Sequence, residues 1–104
     1  MQTHSIADAR HFSLREVQRR TLVDHDGLAV ELLCFEAGQR LEEAPDPSAC
    51  VYQVLEGEAL VREPNGTTRL RKGVLGSLAA GAEHTLENAG GGLLVVLRTR
   101  PASR

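Results

Sequence analysis

The chain is interrupted too often to be helical. Turn signals fall at Asp24-His25-Asp26-Gly27, Ala37-Gly38, Glu56-Gly57, Pro64-Asn65-Gly66, Lys72-Gly73 and Asn88-Ala-Gly-Gly-Gly92. They recur every 8–12 residues or so, the spacing of short strands joined by tight turns. Between them no apolar pattern holds a 3.6-residue period for the roughly 10–12 residues a helix needs. The spacing predicts a single all-β domain, a barrel or sandwich of about eight or nine short strands. The only helical signal is Ser13-Leu-Arg-Glu16, whose capping-box spacing would start one turn. Its alternative is an irregular entry into the strand that begins near Val17.

Alternation assigns the faces. In Leu28–Phe35, Leu28, Val30, Leu32 and Cys34 share one face, and Ala29, Leu33 and Phe35 share the other with Glu31. A strand apolar on both sides is covered on both sides. Cys50, Tyr52 and Val54 share a face of the next strand. Pro45 and Pro47 forbid a regular ladder, so Gln39–Ala49 reads as a loop. Thr67–Arg71 has one large apolar residue, Leu70, and reads as a solvated edge. Leu93–Leu97 is apolar throughout. Its outer face needs a cover, either the N-terminal arm or a second subunit. Residues 1–26 are thus an arm with the first hairpin strand, 27–99 the barrel, and 100–104 a polar tail.

The stretch Gly73–Asn88 holds the most informative histidine. Its last piece alternates, with His84, Leu86 and Asn88 on one face and Glu83, Thr85 and Glu87 on the other. An imidazole beside a leucine is either a packed core group or part of a site.

Composition removes several classes. A formal charge of −2 gives no electrostatic reason to expect nucleic acid. Phe12, Phe35 and Tyr52 are too few for stacking platforms. The basic residues, scattered over turns and strand faces, read mainly as solvated surface. No apolar run approaches 18 residues, so no membrane span is expected. The N-terminus lacks a signal-peptide core, and the expected compartment is the cytosol. Cys34 and Cys50 then read as free thiols. Gly90-Gly91-Gly92 lacks the Lys and following helix of a phosphate loop.

Two segments carry a resemblance. Gly73, Gly81, His84 and Asn88 stand at the spacing of the second cupin signature, with Ala79 in place of its proline. Upstream, Gly38 and Gly57 stand at the ends of the first signature, but its His, His and Glu positions read Ala44, Asp46 and Cys50. The chain therefore resembles a small single-domain cupin with a degenerate metal site. The resemblance implies a jelly-roll β-barrel and, as in many small cupins, a homodimer.

It also implies a pocket at the barrel mouth lined by His84, Cys50, Tyr52, Val54 and Leu86, with Asp46 or Glu43 at the rim. Of the adjacent pair Glu42-Glu43, alternation lets at most one face inward, and the plainer reading is a solvated face. The expectation is a small-molecule-binding or sensing module with no cofactor and no catalytic residue. The alternative is a metal-dependent cupin enzyme, an oxygenase or isomerase, holding a divalent ion on His84 with Asp46 and Cys50. A Cys50–His84 nucleophilic pair is a further hypothesis, since a reactive thiol needs a neighbouring base.

Overall fold

The structure, a computed structural model, describes residues 1–102. Among these are a one-turn helix α1 (Ile6–Ala9) and nine strands. The strands are β1 (Gln18–His25), β2 (Leu28–Phe35), β3 (Arg40–Glu42), β4 (Cys50–Glu56), β5 (Glu58–Glu63), β6 (Gly66–Arg71), β7 (Leu75–Leu78), β8 (Thr85–Asn88) and β9 (Leu94–Pro101). They form a five-stranded sheet, order β1-β2-β9-β4-β7, and a four-stranded sheet, order β3-β8-β5-β6. Both are antiparallel.

Turn chemistry sets the hairpins. Asp26 and Gly27 both take positive φ, 54° and 79°, the two-residue turn whose twist matches paired strands. Pro64-Asn65 closes β5 on β6, where Glu63 pairs with Gly66. Gly57 carries the chain from β4 in one sheet to β5 in the other at φ 86°. A Cβ there would strike the Leu93 carbonyl oxygen, so the residue must be glycine.

The two sheets face each other across one apolar cluster. Leu33, Phe35, Cys50, Tyr52, Val54, Leu94 and Val96 from the first sheet meet Ala59, Val61, Leu70 and Leu86 from the second. Asn88 ends β8 as a buried polar peg. Its Nδ2 donates to the carbonyls of Glu36 (3.0 Å) and Gly92 (2.8 Å), and its Oδ1 accepts from the Gly90 N–H. The signature asparagine therefore ties three segments together.

Several expectations are corrected. The helical turn lies at Ile6–Ala9, where Ser5 Oγ caps the Asp8 N–H. At residues 13–16 the Ser13 hydroxyl accepts from the Arg15 N–H across a bend, so of the two readings of this stretch the irregular entry into β1 holds and the helical turn does not. The loop after Gly38 contains a short strand, β3, paired with β8. The last strand continues past Leu97 to Pro101, so Arg98 and Arg100 are strand residues and only the rest of the expected tail follows it. Ser103 and Arg104 lie outside the described residues. Of the two covers expected for the outer face of β9, the arm is seen, with Ala9 and Phe12 packed on Leu32, Cys34 and Val95.

Candidate functional site

His84 stands just before β8, and the alternation that buries Leu86 and Asn88 turns its ring inward. Tyr52 comes from β4 in the opposite sheet. The two rings meet edge to face, 5.6 Å between centroids, with Tyr52 Oη 2.8 Å from His84 Nε2. His84 Nδ1 is 3.1 Å from the Ala82 carbonyl oxygen, which can only accept. In the neutral ring Nδ1 therefore carries the proton, and Nε2 accepts from the tyrosine hydroxyl.

Arg98 stands beside this pair. On β9 it follows Leu94 and Val96 on the inward face, directly opposite Tyr52 on β4 and Glu31 on β2. Its side chain is 4% exposed. Nε (3.0 Å) and Nη2 (2.7 Å) both donate to Glu31 Oε1, and Nη1 donates to Glu43 Oε1 at 2.7 Å. Arg100 donates to Asp46 Oδ2 at 2.6 Å and lies 3.0 Å from Glu31 Oε1. Arg19 reaches Glu43 Oε2 at 3.1 Å. Three guanidiniums (Arg19, Arg98, Arg100) thus face three carboxylates (Glu31, Glu43, Asp46) at one end of the barrel.

These contacts set the protonation states. Burial pushes the Tyr52 phenol up, and the nearby Arg98 only partly opposes it, leaving a pKa of about 12. Burial also pushes the Glu43 carboxyl up. The Arg98 hydrogen bond and the charges of Arg98, Arg19 and Arg100 outweigh it and hold Glu43 below the ordinary range. For Asp46, burial is likewise outweighed by the Ser48 N–H and by Arg100. Arg98 loses proton affinity to burial and regains more from Glu43, Tyr52 and Glu31, so it stays charged.

The expected pocket residues divide. His84 and Glu43 border an open cleft of about 460 Å³, with Glu42, Pro45, Arg62, Glu63, Pro64, Glu83 and Thr85. Cys50, Val54 and Leu86 pack into the core between the sheets. Tyr52 is 2% exposed and touches the site through its hydroxyl. Asp46 is latched to Arg100. Of the adjacent glutamates, Glu43 reaches inward to Arg98, while Glu42 pairs with Arg40.

Cys50 does not meet the requirements of a nucleophile. Burial raises its pKa, and His84 spends its ring nitrogens on Tyr52 and Ala82. The donor set is equally unsuited to a divalent ion. Among the described residues, no three His, Cys, Asp or Glu side chains are grouped to hold one. Ala44 has no donor, Asp46 is committed to a guanidinium, and Cys50 is kept as a thiol. These residues, as arranged, do not fit the ion that the resemblance implies.

Arg98, Arg100 and Glu31 were missed by the sequence reading, which took the scattered arginines as solvated surface. The signal was present. Leu94, Val96, Arg98 and Arg100 continue one period-two face, and Glu31 is the one charge in β2.

No model of a known protein family matches the chain, and no curated protein matches it. Solved structures do. A protein of Thermus thermophilus superposes with a TM-score of 0.89 at 21% identity, covering 99% of this chain and 100% of that one. An uncharacterised conserved protein with a double-stranded β-helix domain from Klebsiella pneumoniae gives 0.87 at 20% identity, covering 97% and 90%. A cupin superfamily protein from Desulfitobacterium hafniense gives 0.82 at 19% identity, covering 98% and 92%. Likeness at these identities speaks to architecture, and it agrees with the two facing antiparallel sheets: this chain folds as a cupin, a double-stranded β-helix.

Proposed function

We propose that the protein is a small-molecule-binding or sensing cupin that works without a metal, and that its ligand docks in the cleft beside His84. The observation that supports this best is the state of that imidazole. It borders an open cleft, yet both ring nitrogens are fixed by Tyr52 and Ala82. A ring held in this way presents a fixed face to an incoming molecule, which lowers the ordering cost of binding. Pro45 and Pro64 add apolar surface, and Glu63 and Glu83 add polar anchors at the rim. The ligand is therefore small and partly apolar, with one or two hydrogen-bonding groups. The substituted-ligand enzyme is the lesser reading, because it requires Asp46 to leave Arg100 and Cys50 to ionise while buried.

The test is nuclear magnetic resonance of the histidine side chains during a screen of small, partly apolar metabolites that carry one or two hydrogen-bonding groups. The expected hits shift the His84 ring signals, leave those of His4 and His25 in place, and are lost in His84→Ala. Hits that bind equally well to the alanine variant would move the site elsewhere.

A homodimer remains part of this reading. The arm already covers Val95, so the dimer would use another apolar surface, such as Val74 and Leu75, exposed at and beside the edge strand β7. Light scattering at micromolar concentration is expected to give twice the mass of one chain, and the mass of a single chain would remove the dimer.

A further inference from the structure

We infer that Arg98 is the resident cation of this barrel: its guanidinium takes the place that a divalent ion would need and keeps such an ion out. This rests on the metal-free reading above and adds the reason for it. Four observations converge. Arg98 is buried, with a side chain 4% exposed, and is gripped by Glu31 and Glu43 from two different segments. It lies directly across the ladder from Tyr52, whose hydroxyl holds His84. Its charge acts on both Asp46 and Cys50, two of the positions at which the sequence resemblance looked for ligands. Finally, the charges of the cluster balance, three guanidiniums against three carboxylates.

The physical consequence is specific. A divalent ion at this end of the barrel would compete for Glu31 and Glu43 while standing against a fixed positive charge, in surroundings that screen charge poorly. Removing the guanidinium reverses the balance. Two carboxylates then border a buried hole near an imidazole and a phenol, and oxygen and imidazole donors of this kind suit zinc, nickel or manganese. Glu31, placed opposite Arg98 on β2, acts as a positioning residue. It fixes the guanidinium by two bonds to one oxygen.

The experiment titrates zinc, nickel and manganese separately into chelator-stripped wild type, Arg98→Met and Arg98→Lys, followed by calorimetry and thermal melting. The wild type and the Lys variant, which keeps a cation, are expected to bind none of the three ions and to melt at the same temperature with or without them. Arg98→Met is expected to bind at least one ion measurably, at a concentration at least about tenfold below the highest at which wild type still shows no binding, the scale of a change beside a metal site. Its melting temperature is expected to rise on binding. Should Arg98→Met be unfolded in metal-free buffer, refolding on addition of an ion becomes the readout. An inert or unrescued Arg98→Met beside an inert wild type overturns this inference alone. Uptake by Arg98→Lys equal to that of Arg98→Met also overturns it. Stoichiometric uptake by the wild type, lost in His84→Ala, overturns the metal-free reading itself.

Discussion

Arg98 and Glu31 stand directly opposite each other on β9 and β2, and the arginine closes two hydrogen bonds, 3.0 and 2.7 Å, on a single oxygen of the glutamate. Neither residue is at the surface of its sheet. Each lies on the face that, a few residues along, carries the leucines, valines and phenylalanine of the core. The barrel is apolar through its middle and ionic at one end, and the change occurs within single strands. The candidate site lies at that boundary, where His84 and Tyr52 join the two regions.

Breaking this pair from one side is therefore costly. Arg98→Met leaves Glu31 without its main partner in a poorly hydrated place, and loss of one member of a buried pair destabilises by about 3–5 kcal/mol. Urea unfolding in metal-free buffer measures it. A loss under about 1 kcal/mol, the worth of an exposed pair, would mean the cluster is solvated.

Tyr52 is the only tyrosine and there is no tryptophan, so near-ultraviolet absorbance of tyrosinate reports this residue alone. The expected titration midpoint is about 12, against 10.0 for an unperturbed phenol. The folded-state value is raised, so the contribution to stability is complete below pH 10 and is lost as pH rises towards 12. A midpoint at the free value would place the hydroxyl in water and remove its bond to His84.

Acid should act in the opposite sense. Glu43 and Asp46 are held below their ordinary values of 4.5 and 3.8, so their contributions are complete above those values and are lost as pH falls through the lower folded-state values. Urea midpoints are expected to be flat from neutrality down to about pH 5 and to fall below it. In Glu43→Gln the baseline is lower and the fall shallower. An unchanged acid slope in that variant would show that the Arg98–Glu43 bond does not persist in solution.

Gly57→Ala tests the crossover between the sheets. The new methyl group meets the Leu93 carbonyl oxygen at a backbone conformation that alanine rarely adopts. A destabilisation of at least about 2 kcal/mol is expected, combining left-handed strain with displacement of the Gly57–Leu93 approach. Gly38 also has positive φ, but nothing lies within 4 Å of its added Cβ, so Gly38→Ala should cost less. Equal losses at the two positions would contradict the packing argument.

Much of the architecture was legible because local rules wrote it. Asp26-Gly27 and Pro64-Asn65 close hairpins by their own backbone preferences, and alternation put Cys50, Tyr52 and Val54 on one face and His84, Leu86 and Asn88 on another. The acidic end of the site was partly legible, since Asp46 or Glu43 was expected at the rim, and Glu43 borders the cleft while Asp46 is tied to Arg100. Their partners were not. Arg98 follows an apolar run, where a charge reads as the end of a strand. The period-two run Leu94, Val96, Arg98, Arg100 marks the face, but which groups Arg98 meets there depends on the register that sets it opposite Glu31 and Tyr52, and register between residues 67 apart in sequence is not encoded in any local pattern. The arm was foreseen as one of two covers for β9. Its one-turn helix at Ile6–Ala9 was not foreseen, because residues 1–12 carry no apolar period and one cap at Ser5 is a weak local signal.

The measurement that bears most directly on the account is elemental metal analysis of the protein purified without chelator, made in parallel on wild type and His84→Ala. Far less than one equivalent of any transition metal is expected in either protein. Close to one equivalent in the wild type, falling away in His84→Ala, would contradict it.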